Sequence, residues 1–456
     1  MRNVLVLGCG RVGSETAKAL ARNRCNVTVV DSDRNRLLEL QASHDLRTVH
    51  GSAADPAILR HADGENADIV IAVTAIDEIN LAACRLCALF FKTPTKIARL
   101  RAKALNDKRI AGDEGFSIDH IFCPEQIVAD NICNTIRHPG CLSVHKFSTG
   151  QAALAVIRVA SDGDMAGETV GDIRAAKPES DFRAVCVFRD NKMLRPDADT
   201  RLFVGDEVSL MLAEKDLDSL LPLLAGGGNF NRRVMLAGGG GVGERVAEEI
   251  EKSSHLKIIE KSQDRCRALT EKMSSALVLK GQASDERLLR GENIEDTDIY
   301  CALTNDDEEN ILSAMLAKRL GARKVMALVN RPAYADILTR LLDAVVSPSE
   351  LSLGAIIAHI RMGDVGAVHS MRHGAAEAIE AVIHGDAQTS ILVGRAVADI
   401  QWPAEAMLGA VVRGERVIVA HDRTTLQEND RLIIFAASRR AVKWVEKLLQ
   451  VRSFYF

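Results

Sequence analysis

Apolar residues run unbroken in "NVLVLG" at 3 to 8, in "NVTVVD" at 26 to 31 and in "ADIVIAVT" at 67 to 74. Each run is followed by a stretch with helical spacing: one to about Arg22, one over 33 to 43, one after Thr74. Continuous apolar strands alternating with amphipathic helices predict a parallel sheet covered on both faces. Further along, the pattern changes to alternating apolar residues separated by Gly, Asp and Asn turns, as in "VFRDNKMLRPDADTRLFVGDEVSLML" at 187 to 212. That spacing predicts a smaller module of short strands.

The whole pattern occurs twice. "VLVLGCGRVGSETAKAL" at 4 to 20 returns as "RVMLAGGGGVGERVAEEI" at 233 to 250, placing Gly8, Gly10 and Gly13 against Gly238, Gly240 and Gly243, each displaced by 230 residues (Gly8 to Gly238). "GSAAD" at 51 to 55 matches "GQASD" at 281 to 285, and "TAIDEIN" at 74 to 80 matches "TNDDEEN" at 304 to 310. The β-rich parts repeat as well, "VVRGERVIVAHDRTTLQENDRLIIFA" at 411 to 436 answering the segment at 187 to 212. A tandem duplication of a two-part unit explains this. The halves meet at the Gly-rich "LAGGGNFNRR", 224 to 233, and smaller joints are expected near 141 to 145 and 364 to 369.

"GCGRVG" follows a strand and opens a helix, the context this otherwise weak pattern needs. Gly8 serves the tight turn, Gly10 the approach of phosphates to the backbone, and Gly13 the close packing of helix on strand. The free amides of the helix start, with its dipole, favour a pyrophosphate without any lysine. A Walker loop would carry Gly-Lys followed by Ser or Thr, which "GRVGSE" lacks. Asp31, ending the second strand, is placed to accept hydrogen bonds from an adenosine ribose and to repel a 2′-phosphate, favouring NAD over NADP. Arg34 and Arg36 soften that repulsion only if one folds back toward the ribose, and otherwise read as solvated helix residues. Glu260 is the second copy's equivalent carboxylate. Arg99, in "KIARLRAKAL", sits where a guanidinium reaches a phosphate, and the second copy places Ala327 there, which makes the two sites unequal.

"TAIDEIN" and "TNDDEEN" read as helix starts with dipole-matched acids, with a divalent-cation site from Asp306, Asp307, Glu308 and Glu309 as the alternative. Cys84 and Cys87 form a lone CxxC with no second ligand pair nearby and read as buried helix residues.

Composition narrows the function classes. The chain has 456 residues, 47% hydrophobic, with 58 Lys plus Arg against 62 Asp plus Glu, so its formal charge is −4. No basic block invites nucleic acid. The ten cysteines lack the spacing of a secreted scaffold, which suits a reducing cytoplasm. No secretion signal is visible, and "LAACRLCALFF" at 81 to 91 is too short for a membrane span, so a soluble protein able to dock on a membrane protein is expected. The small β-rich modules carry no paired carboxylates, metal ligands or nucleophile elbow, and the lone histidines, such as His120, His359 and His421, form no constellation.

The quoted segments "VLGCGRVG", "VVDSD", "GSAAD", "AVTAIDEIN" and "IARLR", duplicated with small intervening modules, resemble the RCK or KTN domains that regulate potassium channels and transporters. "ALTNDDEENILSAMLAKRLGARKVMALVNRPAY" and "RHGAAEAIEAVIHGDAQTS" extend the resemblance over essentially the whole chain. It implies two Rossmann-like α/β domains of doubly wound parallel sheet, at 1–141 and 231–364, each followed by a small α+β RCK-C module, at 142–226 and 365–456. It also implies a cytoplasmic, non-enzymatic regulatory subunit, a tetrameric ring beneath a potassium-translocating membrane protein.

By the same resemblance Gly8, Cys9, Gly10, Arg11, Val12, Gly13, Asp31, Ser52, Val73, Thr74 and Arg99 hold one nucleotide. Gly239, Gly240, Gly241, Val242, Gly243, Glu260, Leu303 and Thr304 hold the other. NAD(H) is the expected ligand, with ATP or ADP competing for the same clefts. The rival class is a soluble tandem NAD-dependent oxidoreductase, and a scaffold with vestigial clefts is a third.

Overall fold

The computed structural model describes residues 2–449, except 23–24, 103–104, 106–107, 113–114, 139, 162, 165, 191, 226–232, 332–333, 335–336, 339–340, 361–364, 372–375 and 387. Most of the expected Gly-rich joint at 224 to 233, and the start of the joint near 364, lie outside the described residues.

The first parallel sheet contains β1 (Asn3–Leu7), β2 (Asn26–Asp31), β3 (Arg47–His50), β4 (Ile69–Ala72), β5 (Thr95–Arg99) and β6 (His120–Phe122), in the order β3-β2-β1-β4-β5-β6. Val4 to Leu7 and Ile69 to Ala72 are all buried, because helices cover both faces of the central strands. An antiparallel sheet follows, of β7 (Cys141–Phe147), β8 (Ala152–Arg158), β9 (Phe182–Arg189), β10 (Lys192–Leu194) and β11 (Glu207–Ala213), in the order β10-β9-β11-β8-β7.

The second half repeats both. Its parallel sheet has β12 (Arg233–Ala237), β13 (His255–Glu260), β14 (Leu277–Lys280), β15 (Ile299–Ala302), β16 (Lys324–Leu328) and β17 (Ala344–Val346), ordered β14-β13-β12-β15-β16-β17. Its antiparallel sheet has β18 (Val365–Met371), β19 (Ala376–Val382), β20 (Ala406–Arg413), β21 (Arg416–Val419) and β22 (Arg431–Ala436), ordered β18-β19-β22-β20-β21. The two-part duplication read from the sequence is therefore a duplication of two sheet topologies.

The chain divides into two compact units that do not follow the halves: residues 1–127 with 348–360, and 128–347 with 361–456. In the first unit, the helix Pro348–Ile360 of the second half packs on the first parallel sheet. Ile356 and Ile360 join the core of Val4, Val6, Ile97 and Phe122, and Arg2 donates to the Ile360 carbonyl. His120 and His359, read separately in the sequence, stack at 3.9 Å across this packing. Burial of its ring pushes His359 down to about 4. The pair is a structural contact that no local pattern could have joined.

The second unit holds the second parallel sheet and both antiparallel sheets. The two antiparallel sheets share one core, in which Phe147, Leu154, Val185 and Met211 meet Ala378, Met407, Ala410, Ile433 and Phe435. The contact is close enough that a Cβ on Gly409 would stand 2.9 Å from Met211 Cγ. Glu380 is buried there and accepts from Ser148 Oγ (2.6 Å) and Ser148 N (3.1 Å). His421, also read as isolated, pairs with Asp181 at 2.9 Å.

Candidate functional site: two glycine-loop clefts

Within each glycine motif the three glycines meet different surroundings. Gly8 adopts φ +110°, and a Cβ there would stand 2.9 Å from Thr74 N. A Cβ on Gly13 would stand 1.9 Å from the Gly8 carbonyl oxygen. Around Gly10 the nearest atom to such a Cβ is Arg36 Nη1 at 4.0 Å, so its outer face is open. The second copy repeats the division: Gly238 has φ +111°, Gly243 would meet the Gly238 carbonyl oxygen at 2.0 Å, and Gly240 has nothing within 4 Å. Two glycines of each loop thus serve the packing of turn, helix and strand, and the middle one borders free space.

That space lies at a helix amino terminus. The helix Arg11–Arg22 begins directly after Gly10, and the helix Gly241–Ile250 is capped by Gly240 with no side-chain acceptor. Its first amides have no partner within the helix, because the i−4 carbonyls do not exist. Arg11 is exposed and Val12 half-buried beside this start. Cys9 points the other way, into the core, where burial pushes its thiol up to about 11. Gly239 stands in its place in the second copy, where a Cβ would lie 2.3 Å from Leu269 Cδ1.

The expected ribose carboxylates stand beside the loops. Asp31 accepts from the Cys9 amide and, through Oδ1, from Asp33 N (2.7 Å). Glu260 accepts from Gly239 N (2.8 Å) and Ser262 N (2.8 Å). The extra methylene of Glu260 leaves the hydrogen-bond pattern unchanged. Each carboxylate oxygen retains acceptor capacity beyond one amide, which a ribose diol would use. Ser52 follows β3 next to Asp31, since Gly51 N donates to the Asp31 carbonyl (2.9 Å), and its hydroxyl accepts from Ala54 N (3.2 Å).

Val73 and Leu303 extend β4 and β15 and bond back to the first strand of each sheet, Val73 N to Leu7 O and Leu303 N to Ala237 O. Thr74 and Thr304 are fixed by a residue the sequence reading passed over. Asn80 Oδ1 accepts from Thr74 N and Oγ1, both at 2.8 Å, while its Nδ2 donates to Arg99 O (2.9 Å). Asn310 makes the same bonds to Thr304 and to Leu328 O (2.9 Å). The signal was available in the duplicated "T…D..N" of the two segments. Both amides are wholly buried, so Asn80→Ala strands several polar partners, and it is expected to cost about 2–4 kcal/mol in urea unfolding.

This clamp corrects one alignment. The counterpart of Arg99 is Leu328, not Ala327: Ala72 pairs with Ala98 and Ala302 with Ala327, so Ala327 answers Ala98. The conclusion that the second cleft lacks this arginine stands. Arg99 itself ion-pairs with Glu125 at 3.0 Å with its side chain 17% exposed, so it is not a solvated surface residue.

The acids of "TAIDEIN" and "TNDDEEN" also differ from a simple cap. Asp306 caps its helix through Glu309 N (2.8 Å), but the corresponding Ile76 makes no side-chain cap. Asp77 and Asp307 instead hold the loop after the fifth strand, through Arg101 and Ala102 amides in one copy and Asn330 and Arg331 amides in the other. Glu308 pairs with Arg331 at 2.7 Å. Asp306, Asp307 and Glu308 are thus spent on separate partners, and no metal-binding group of three or more His, Cys, Asp or Glu occurs among the described residues. Cys84 and Cys87 are buried, and burial pushes Cys87 up to about 12.

Two further side chains border the clefts. Arg36 stands beside Gly10, as given above, so it does fold toward the loop. Arg265 donates to the Gly239 carbonyl from Nε (3.1 Å) and Nη2 (2.5 Å). Their shared position, five residues after Asp31 and Glu260, was visible in sequence, but a long side chain's direction was not.

The glycine loops, Asp31 and Glu260, Thr74 and Thr304, and Arg99 gather at the carboxyl ends of the parallel strands, about the β1/β4 and β12/β15 switch points, where open α/β sheets bind ligands. An open glycine face, free amides and a ribose-directed carboxylate fit a nucleotide with adjacent phosphates.

The chain is similar to known proteins along nearly its whole length. The TrkA-N domain model matches residues 4–124 and 234–348, and the TrkA-C domain model matches 154–225 and 387–448. The chain is 44% identical to the Trk system potassium uptake protein TrkA of Halomonas elongata over 455 residues, 99% of this chain and 100% of the relative. It is 38% identical to the protein of that name from Vibrio alginolyticus, covering 99% of each. Among solved structures, the GsuK RCK domain superposes with a TM-score of 0.63 at 18% identity, covering 98% of this chain and 95% of the other. The GsuK channel bound to NAD gives a TM-score of 0.62 at 18% identity, with 98% and 79% covered. At that identity the likeness carries the fold.

Proposed function

The chain belongs to the TrkA family of Trk system potassium uptake proteins, and we propose that it is a nucleotide-binding regulatory subunit that gates a Trk-type potassium-translocating membrane partner without catalysing a reaction. The observation that carries this reading is the repetition of one cradle: open Gly10 and Gly240 at helix starts, each beside a carboxylate tied to its loop. NAD(H) is the proposed ligand, with ATP and ADP as competitors. The solved channel of similar fold that holds NAD supports that choice.

The subunit acts as a homotetramer at the cytoplasmic face of the membrane, as a peripheral protein. Among the described residues no helix is long and apolar enough to cross a membrane.

A bound nucleotide biases the assembly only through contacts that differ between two arrangements. Gly8 to Gly13 seat the phosphates, Asp31 orients the ribose, and Arg99 answers phosphate charge. Arg99 is held by Glu125, in the first turn of the helix Pro124–Arg137, within which the chain passes from one compact unit to the other. A phosphate that draws Arg99 away from Glu125 alters the start of that helix. A coupling of about 1–3 kcal/mol suffices for regulation.

The test is potassium flux through the reconstituted pair with Asp31→Ala and Glu260→Ala. The nucleotide response should be lost or reduced while the partner still conducts, and an unchanged response rejects the reading. Incubating the protein with NADH should leave its absorbance unchanged, whereas turnover would identify an oxidoreductase.

A further inference from the structure

The two glycine-loop helices carry opposite charge. Arg11–Arg22 holds Arg11, Lys18 and Arg22 against Glu15, and Gly241–Ile250 holds Glu244, Glu248 and Glu249 against Arg245. At the equivalent of Ser14, in the first turn after the open Gly240, stands Glu244. Its carboxylate accepts from Arg265 Nη2 at 2.7 Å, the guanidinium that also bonds to the Gly239 carbonyl, and it pairs with Lys272. Lys272 is bound in turn by Glu248. Burial works against the charged Glu244, but the bonds from Arg265 and Lys272 outweigh it, and its pKa lies below the ordinary carboxylate range.

In the first copy Ser14, Lys18 and Ser43 occupy the positions of Glu244, Glu248 and Lys272. Arg36, the counterpart of Arg265, makes an i,i+3 contact with Asp33 at 3.3 Å between side chains 57% and 44% exposed. Such an exposed pair holds a side chain weakly.

We propose that Glu244 is a specificity-determining residue of the second cleft, an internal anion that neutralises Arg265 at the loop and makes the cleft discriminate against nucleotides with additional phosphate charge. A nucleotide entering there competes with Glu244 for Arg265 and meets a negative charge on the helix whose amides it uses. The first cleft has a hydroxyl at that place and Arg36 beside its loop. This inference rests on the nucleotide-binding reading and adds which residue ranks ligands by charge.

The test uses the full chain with one cleft blocked. Gly10→Val places a side chain in the open space of the first loop, so the remaining binding reports the second cleft. In that background Glu244→Gln should raise ATP affinity about threefold to tenfold. ADP affinity should rise less, with a steeper salt dependence for both. An unchanged ATP-to-ADP ratio overturns the proposal, as does failure of Glu244→Gln to create binding where the Gly10→Val parent has none.

The reciprocal variant, Ser14→Glu with Gly240→Val, should weaken ATP more than ADP in the first cleft, and it decides the matter if Glu244→Gln fails to fold. If the unsubstituted protein binds neither nucleotide, the nucleotide reading itself fails. If it binds them and both charge variants leave the ratio unaltered, only the role of Glu244 fails.

Discussion

Gly10→Val should abolish nucleotide binding to the first cleft, weakening it at least about a hundredfold, while leaving the melting temperature within about 2 °C of the parent. Gly13→Val, three residues on, should do the opposite to the fold. The Cβ at Gly10 has no neighbour closer than Arg36 Nη1 at 4.0 Å, so a branched side chain should fit the protein and fill the place proposed for the phosphates. At Gly13 the first added carbon lies 1.9 Å from the Gly8 carbonyl oxygen, which is backbone and cannot rotate aside. The helix must then leave the sheet, at a cost of about 3 kcal/mol or more in urea unfolding. Calorimetry with NADH and thermal melts on the two variants separate ligand space from packing space. If Gly10→Val lowered stability as much as Gly13→Val, the open face would not be a ligand site.

Acidification should loosen the joint core of the two antiparallel sheets. His145 and His369 lie there with ring centroids 4.9 Å apart, and Phe147 meets His369 edge-on at 4.8 Å. The groups around them are Ser143 Oγ, 3.3 Å from His145 Nε2, the Lys146 carbonyl, 3.3 Å from His369 Nε2, and the carboxylate of Glu380. Burial, with the neighbouring His369, pushes His145 down to about 3, and burial pushes His369 down to about 4 although the Lys146 carbonyl and Glu380 act the other way.

Both folded values lie below the ordinary 6.5, so the unfolded chain binds more protons as the pH drops. Stability is intact above about pH 6.5 and falls from there toward pH 4. The pair is expected to cost a few kcal/mol between pH 7.5 and pH 5, on the order of 1.4 kcal/mol per proton per pH unit. Urea unfolding at the two pH values should show the loss, and His145→Gln combined with His369→Gln should flatten it. Equal steepness in the double variant would assign the acid sensitivity to other groups.

The two Rossmann cradles were legible in advance because each rests on local spacing. Gly8, Gly10 and Gly13 follow a strand and open a helix, and Asp31 ends the next strand, so their places beside one another follow from turn geometry and sheet order. Glu260 was found through the repeat, and it bonds its loop as Asp31 does. Asn80 and Asn310 were missed because a buried Asn in the first turn of a helix resembles any polar residue until its four bonds are seen. The Arg99 counterpart was misplaced by one position because the two copies differ by one residue before β16, and only strand register resolves that.

By itself, the sequence determined what depends on periodicity and duplication: two parallel sheets, two small modules, and a phosphate-suited turn in each half. Tertiary structure decided what depends on partners distant in the chain. Helix Pro348–Ile360 packs on the first sheet, His359 meets His120, and the two small modules merge into one core. It also decided that Arg36 and Arg265 turn toward their loops and that Glu244 answers only the second. The physical reason is that backbone geometry repeats over about two to four residues and is written locally, whereas long-range packing and the direction of a flexible charged side chain are set by whatever surface and counter-charge the fold brings beside them.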